Sequence, residues 1–266
     1  GTRGDIFGVS TSRDYIRVRG FSPNYYQDGL ILPYGITAQG GQSEPYGMER
    51  VEVLRGPASV LFGQNPPGGI INMVSKRPRA EAEHEVFIQA GTFDRYQGGF
   101  DTTGPLNDDR TLLYRLVGLA RNSGTQADHA DDDRYFLAPS LTFQPDDATS
   151  LTILGQIQRD RAGISEQYFP SYGTLFDTPF GKIPSSTNLG EPDVDRQRRD
   201  QNAIGYDFSH EFDNGVTFRQ NARYAAIDVY NATTFTTGLL PDKRSISRFF
   251  SVINRDLNYL TIDNQL

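Results

Sequence analysis

The chain has 266 residues, which is enough for one large domain or two ordinary ones. It carries 33 acidic and 26 basic residues, and the resulting net charge of −7 argues against nucleic acid as its main partner, because phosphate binding needs a positive field. Since the sequence has no cysteine, disulfide frameworks, cysteine-based zinc sites and thiol nucleophiles are excluded.

The mean hydropathy of −0.53, with no apolar stretch of about 18 residues, would normally indicate a water-soluble protein. A membrane β-barrel escapes this test, because its strands alternate side chains that face lipid with side chains that face the lumen. The 17 Phe and 14 Tyr suit such strands, although they also suit a soluble β-sandwich. The chain opens at Gly1 without Met or a leader, so we expect it to begin inside a longer protein.

The N-terminal segment alternates charged and apolar residues between turn formers. The pattern predicts a strand at 15–19, a turn at Gly20, a polar loop through Asn24 and a second short strand near 28–30. Residues 35–47 are rich in Gly, Gln, Ser and Pro, which indicates an exposed loop, and a helical turn is predicted at 48–50.

Residues 50–78 predict two strands packed around a tight corner. In order they contain a strand at 50–54, a Gly56-Pro57 turn, an apolar run at 59–62, a corner at 64–69 and a strand at 70–74. Together with the preceding segment they indicate a compact α+β domain, and we place its boundary after residue 79.

Beyond this boundary, long segments alternate apolar and polar residues. Strands are predicted at 85–92, 96–103, 111–122, 134–144, 150–160, 202–212, 216–230 and 248–262. Most have at least the roughly 9 to 11 residues that a tilted strand needs to cross a bilayer. Between positions 112 and 120 the even-numbered side chains are mostly apolar, whereas Arg115 and Arg121 share the other face, which predicts an apolar outside and a polar inside.

The connections between these strands differ in length in a regular way. Short links rich in turn formers, at 104–110, 145–149 and 213–215, alternate with long links at 123–133, 161–201 and 231–247, and only the brief link at 93–95 breaks the pattern. Outer-membrane barrels have short turns on one side and long loops on the other. Since eight strands cannot enclose a domain and an open edge is not viable in lipid, we expect further strands after Leu266.

Four motifs carry a family resemblance. They are RVRGF at 17–21, the Asp28-Gly29 pair, PYGMERVEVLRGPASVLFGQ at 45–64 and PPGGIINMVSKRP at 66–78. With these motifs the chain resembles the TonB-dependent outer-membrane siderophore receptors, and most closely the ferrichrome-type (hydroxamate) receptors. The resemblance implies a transmembrane antiparallel β-barrel, here about eight of about 22 strands, around a partial α+β plug domain. Residues 1–79 would be the plug part and residues 80–266 the first barrel strands.

The resemblance also implies a function. A receptor of this family binds a ferric siderophore at the plug apex and imports it with energy from TonB and its inner-membrane complex, in the outer membrane of a Gram-negative bacterium. It would contact lipid and lipopolysaccharide, would not be an enzyme, and would hold iron only as cargo, without a cofactor. Another cargo such as cobalamin, haem or an oligosaccharide stays open, as does a structural or adhesive barrel.

By the same resemblance, Arg19 and Tyr46 match positions that hydrogen-bond the iron-bound oxygens of the ligand. Tyr34 and Gly35 fall near another apex contact, and Tyr168 falls near an aromatic wall position. A solvated strand arginine is the plain alternative for Arg19, and a tyrosine that packs a turn is the plain alternative for Tyr46.

Arg55, in the RGP motif, resembles a residue that pairs with barrel glutamates and locks the plug in the lumen. A plain surface charge is the alternative. Other signals are weak: the acidic run 128–133 lacks the glycine and final glutamate of a calcium loop, and three scattered histidines give no support for a catalytic triad.

Overall fold

The computed structural model describes residues 10–12, 16–33, 41–55 and 66–266, together with the backbone of 2–3. The described strands form a small domain, β1–β6, and an eight-stranded antiparallel sheet, β7–β14, which we call the wall. Within the described residues, no helix is both long and apolar enough to span a bilayer.

The small domain contains short strands in an order that differs from the chain order. Its strands are β1 Thr2–Arg3, β2 Arg17–Val18, β3 Asn24–Gln27, β4 Leu30–Ile31, β5 Met48–Leu54 and β6 Ile70–Ser75. Strands β1 and β2 pair with each other, and the other four form a sheet in the order β4-β3-β6-β5. Only the β3–β6 pair of this sheet is parallel, so the chain must cross over between them.

Two local predictions for the small domain are wrong. The helical turn expected at 48–50 is strand, because Met48 already pairs with Ser75; the helical turn is a 3-10 helix at Pro45–Gly47, where the Glu44 side chain accepts a hydrogen bond from the Tyr46 N–H. The polar loop expected around Asn24 is strand β3. Its residues are extended because they pair in parallel with β6. The apolar run at 59–62 lies outside the described residues.

The wall follows the chain order from one edge to the other. Its strands are β7 Glu83–Gly91, β8 Arg95–Pro105, β9 Leu112–Asn122, β10 Asp132–Phe143, β11 Thr149–Ala162, β12 Arg196–Glu211, β13 Thr217–Leu239 and β14 Ile246–Gln265. Each pairs with the next in antiparallel fashion. The eight predicted strands are confirmed, and the predicted domain boundary at residue 79 falls in the segment between β6 and β7.

The last strands are longer than predicted. Strands β13 and β14 pair up to Leu239 and Ile246, with one register shift near Thr236, so the expected long link at 231–247 shrinks to 240–245. The longest connection in the wall, 163–195, lies between β11 and β12. The connections 123–131, 163–195 and 240–245 all join the strands at the same end, which we call the long-loop end of the wall. We call the opposite strand ends the short-turn end.

The two faces of the wall differ as the alternation predicts. Arg115 and Val117 of β9 are buried towards the small domain, whereas Val86 and Ile88 of β7 are 78% and 90% exposed on the outer face. The inner face packs on the small domain through two apolar clusters. One joins Leu32, Met48 and Met73 to Ile227 and Val229, and the other joins Tyr46 to Phe87, Val117, Leu119 and Phe136. Burial of this apolar surface holds the small domain against the wall.

Candidate functional site

A buried charge network connects the small domain to the long-loop end of the wall. Arg134 of β10 donates from Nη1 to Glu44 of the small domain at 2.9 Å and from Nε to Asp160 of β11 at 2.6 Å. Arg199 of β12 donates to the second Asp160 oxygen at 2.7 Å. The Gln42 side-chain oxygen accepts from both arginines, at 2.7 and 3.0 Å. We call Gln42, Glu44, Arg134, Asp160 and Arg199 the upper network.

The upper network is almost inaccessible to solvent. The four charged side chains are at most 7% exposed, and that of Arg199 is 0% exposed. Removing charges from water is costly, so such a group is stable only when every charge keeps its partners and its hydrogen bonds. Because Glu44 belongs to the small domain and the other three belong to the wall, the Glu44–Arg134 ion pair joins the small domain to the wall.

A second group, the lower network, lies near the short-turn end. Arg115 forms a two-point ion pair with Asp101, at 2.8 and 2.7 Å, and Lys76 reaches the same carboxylate at 2.8 Å. Arg115 also donates to the Arg77 carbonyl at 2.9 Å and lies 3.5 Å from Glu49. The segment that leaves β6 is therefore fastened to the wall at the point where the chain enters β7.

The Asp28-Gly29 pair forms the tip of the β3–β4 hairpin. The Asp28 carboxylate accepts from the Ser75 N–H at 2.8 Å and from the Ser75 hydroxyl at 2.7 Å. Its carbonyl accepts from the Asn221 side chain of the wall at 2.5 Å, and the Gly29 N–H donates to Asn72 at 3.1 Å. The motif therefore joins three strands of the small domain to β13.

Arg19 occupies the exposed turn after β2. The turn is closed by hydrogen bonds between Val18 and Phe21, at 2.9 and 3.0 Å, and Arg19 has a φ of 54°. A Cβ at Gly68 would lie 2.9 Å from the Val18 carbonyl, so the RVRGF and PPGG motifs meet here. Strand β6 runs from this turn towards Lys76 and the lower network, which places Arg19 on the side of the long-loop end.

Tyr46 lies between the small domain and β7. Its hydroxyl donates to Glu85 at 2.9 Å, its ring meets the Phe87 ring edge-on at 5.0 Å, and the Lys76 ammonium lies 4.2 Å from its centre. Burial, and then the hydrogen bond to Glu85, raise the pKa of Tyr46 above its ordinary value. Among the contacts of the described residues, none joins Tyr46 to Arg19, and a ligand role for Tyr46 stays a prediction.

The remaining candidates are spread over the molecule. Tyr168 lies in the 163–195 connection, 37% exposed, with its ring 6.2 Å from that of Phe235. Arg55 is exposed at the end of β5, and its locking role stays a prediction. Tyr34 and Gly35 lie outside the described residues. Within the described ranges, no group of three side chains is arranged to hold a metal ion.

A small sheet domain fastened by buried charges to the inner face of an antiparallel sheet is typical of the class of plugged β-barrels. Residues 4–70 match the model of the TonB-dependent receptor plug domain. The chain belongs to the family of TonB-dependent receptors, and its place is the outer membrane of a Gram-negative bacterium.

Relatives and solved structures agree with this assignment. The chain is 38% identical over 241 residues to the ferrichrome outer membrane transporter/phage receptor of Escherichia coli K12, and 35% identical over 271 residues to the ferrioxamine B receptor of Salmonella typhimurium. These matches cover 88% and 100% of the chain but 32% and 38% of the relatives, so the chain spans about a third of their length.

The fold is also that of a solved receptor. The ferric-catecholate import receptor Fiu of Escherichia coli K12, in its closed form, superposes with a TM-score of 0.81 at 22% identity. The match covers 96% of this chain and 37% of that one. At this identity the likeness concerns the fold alone.

Proposed function

We propose that the chain is part of a receptor that binds a ferric siderophore, of the hydroxamate class, and imports it across the outer membrane. The observation that carries the proposal is the small domain itself, which packs on the inner face of the wall and exposes the Arg19 turn on the long-loop side. The ferrichrome and ferrioxamine B relatives support the hydroxamate class. Iron would be cargo rather than a cofactor.

A siderophore surrounds Fe(III) with its own hard oxygen atoms, so the receptor does not need to ligate the metal. It needs hydrogen-bond donors and aromatic surface for the outer shell of the complex. The exposed guanidinium of Arg19 supplies donors, and Tyr34, Gly35 and Tyr168 are the further residues that we propose for this shell. Arg19 has the strongest support of these, because it is exposed on the side from which a ligand would arrive.

Import also requires the small domain to move, and we propose that TonB and its inner-membrane energy complex supply the force. The interface suits such movement, because much of it consists of discrete ion pairs and hydrogen bonds that water can replace once the interface opens. A force applied from the periplasm would first break contacts at the short-turn end, namely those of Lys76, Arg77 and Glu49.

Uptake of labelled iron by the full-length receptor tests the function. Cells that express it as their only siderophore receptor would be offered hydroxamate, catecholate and mixed siderophores. We expect uptake from at least one hydroxamate complex, with dependence on TonB. Uptake from none of the iron complexes would refute the iron assignment, and uptake from catecholates alone would refute the hydroxamate class.

Replacing Arg19 by alanine should weaken ligand binding about tenfold or more, because a charge-assisted hydrogen bond contributes about 1.5 to 3 kcal/mol. Equilibrium binding of the ferric siderophore to the purified full-length receptor measures this. Arg50→Ala is the matched control, since Arg50 is an exposed arginine of the same domain that pairs with Glu52 at 2.6 Å. Equal affinity of the two variants would remove Arg19 from the site.

Replacing Tyr46 by phenylalanine should lower the stability of the small domain by about 0.5 to 1.5 kcal/mol, and should lower ligand affinity as well if the hydroxyl also binds the ligand as the sequence predicts. The reason is that the Tyr46 hydroxyl donates a hydrogen bond to Glu85 at 2.9 Å, and this bond joins the small domain to the wall. Affinity is measured as for Arg19, and stability by hydrogen exchange of the small domain. A tenfold loss of affinity at unchanged exchange would instead support the ligand role predicted from the sequence.

A further inference from the structure

Arg223 of β13 is a buried cation between the wall and the small domain. It is 6% exposed, and its Nη2 donates to the Gln156 side-chain oxygen at 2.7 Å. The other arginines that the described wall buries, Arg115, Arg134 and Arg199, each pair with an aspartate. Among the described residues, no carboxylate pairs with Arg223. A buried charge is stable only when it is compensated, so the missing negative charge must come from another group.

Arg223 lines a cavity of about 30 Å³ that lies between the small domain and the wall. Its polar lining comes from both sides, with Gln27 and Gln42 from the small domain and Gln156, Gln201, Arg223 and Tyr259 from the wall. Each of these side chains has an N–H or O–H group to donate. No aspartate or glutamate of the described chain lines the cavity, so its charge is positive.

Two donors on the wall side have no acceptor among the described residues. One is the Arg223 Nε, and the other is the side-chain nitrogen of Gln156. The Gln156 oxygen accepts from Arg223 and lies 3.5 Å from the Gln27 side-chain nitrogen, which leaves the Gln156 nitrogen for a different partner. Buried donors without an acceptor are costly, so the cavity suits a group that accepts hydrogen bonds.

The size of the cavity limits what that group can be. A water molecule takes about 30 Å³ in the liquid, so the space suffices for a particle of about that size. A phosphate group, a carboxylate on a carbon chain or any larger part of an organic ligand does not fit. Water fits, but it carries no charge to offset the guanidinium of Arg223. A monatomic anion both fits and supplies the charge.

We infer that this cavity is a binding site for one monatomic anion, chloride, held by Arg223 and Gln156 of the wall and closed by Gln27 of the small domain. Because the small domain and the wall both line the cavity, the bound anion stabilises their contact. It is released when the small domain moves away. The site is separate from the Arg19 turn and does not depend on the identity of the cargo.

Hydrogen exchange of the full-length receptor tests the site. The receptor is purified in sodium gluconate, and chloride then replaces gluconate at constant ionic strength. We expect slower exchange in residues 24–33 and 41–48. For openings that release the anion, the slowing is about tenfold when chloride is at about ten times its dissociation constant. Sulfate at the same ionic strength is too large for the cavity and should have no such effect. Equal slowing by sulfate would overturn the site.

Arg223→Gln should remove the dependence on chloride, because glutamine keeps hydrogen-bond donors but carries no charge. In gluconate, this variant should exchange no faster than the unmodified receptor, since it buries no unpaired cation. Arg219→Gln is the matched control, because Arg219 is an exposed arginine of the same strand. It should keep the full response to chloride. The same response to chloride in both variants would overturn the role of Arg223.

A crystal of the unmodified receptor soaked in sodium bromide provides a test that needs no variant. Bromide replaces chloride and has an anomalous scattering signal that water lacks. We expect an anomalous peak in the cavity beside Arg223 and Gln156. Density for water only, without an anomalous peak, would overturn the proposal even if Arg223→Gln does not fold.

Discussion

Replacing Asp160 by asparagine is expected to destabilise the small domain and the long-loop end of the wall by about 3 to 5 kcal/mol. Asp160 accepts from Arg199 at 2.7 Å and shares Arg134 with Glu44. Without the charge of Asp160, Arg199 loses a carboxylate partner while its side chain stays fully buried. Asparagine has almost the same size, so the loss reflects charge and hydrogen bonding rather than a cavity.

Thermal unfolding and hydrogen exchange of the full-length receptor measure this effect. The expected pattern is faster exchange in residues 41–55 and in the ends of β10 to β12, with little change at the short-turn end. Asp177→Asn is the control, because Asp177 pairs with Lys182 at 2.8 Å while its side chain is 90% exposed. An exposed pair contributes little, so no change is expected there. Similar behaviour of the two variants would mean that the upper network does not hold the small domain.

The strands of the wall could be predicted because their signal is local. Alternation along β9 separates Arg115 from its apolar neighbours, and the short links rich in turn formers mark the ends of the strands. The extensions of β12 to β14 could not be predicted in the same way. Polar residues such as Asn231 and Thr234 read as loop, yet each strand continues because its neighbour continues beside it.

The networks that hold the small domain could not be read from the sequence. Glu44 and Arg134 are 90 positions apart, and a single sequence gives no sign that a glutamate in a polar loop and an arginine in a later strand meet. The alternation indicated only that Arg115 faces inwards, not that Asp101 would be its partner. Conversely, Tyr46 was assigned by resemblance, and the structure adds a contact with Glu85 that the resemblance did not include.

The corner before β6 is where local sequence and tertiary packing agree most closely. The PPGG motif predicts a tight corner, and Gly69 adopts a φ of 95°, in the region that favours glycine. The reason for a glycine is also tertiary. A Cβ at Gly69 would overlap the carbonyl oxygen of Leu54 and lie 3.1 Å from the Arg55 Cα, so the end of β5 occupies the space of a side chain.

Replacing Gly69 by alanine is therefore expected to destabilise the small domain by about 2 to 5 kcal/mol. The left-handed backbone costs about 1 to 2 kcal/mol for a residue with a Cβ, and forcing β5 away from β6 adds about 1 to 3 kcal/mol. The first pair to separate is Leu54 with Ile70. The measurement is hydrogen exchange and limited proteolysis of the small domain in the full-length receptor, with its amount in the outer membrane as a second readout.

Gly29→Ala is the matched control, because Gly29 has a φ of 81° in the same domain but a Cβ there would meet nothing within 4 Å. That variant keeps the N–H that donates to Asn72. It should lose only the free energy that a left-handed backbone costs a residue with a Cβ, about 1 to 2 kcal/mol. If both variants lose the same stability, backbone conformation alone explains the glycine. A larger loss at Gly69, confined to β5 and β6, would establish that the corner is glycine because the end of β5 is packed against it.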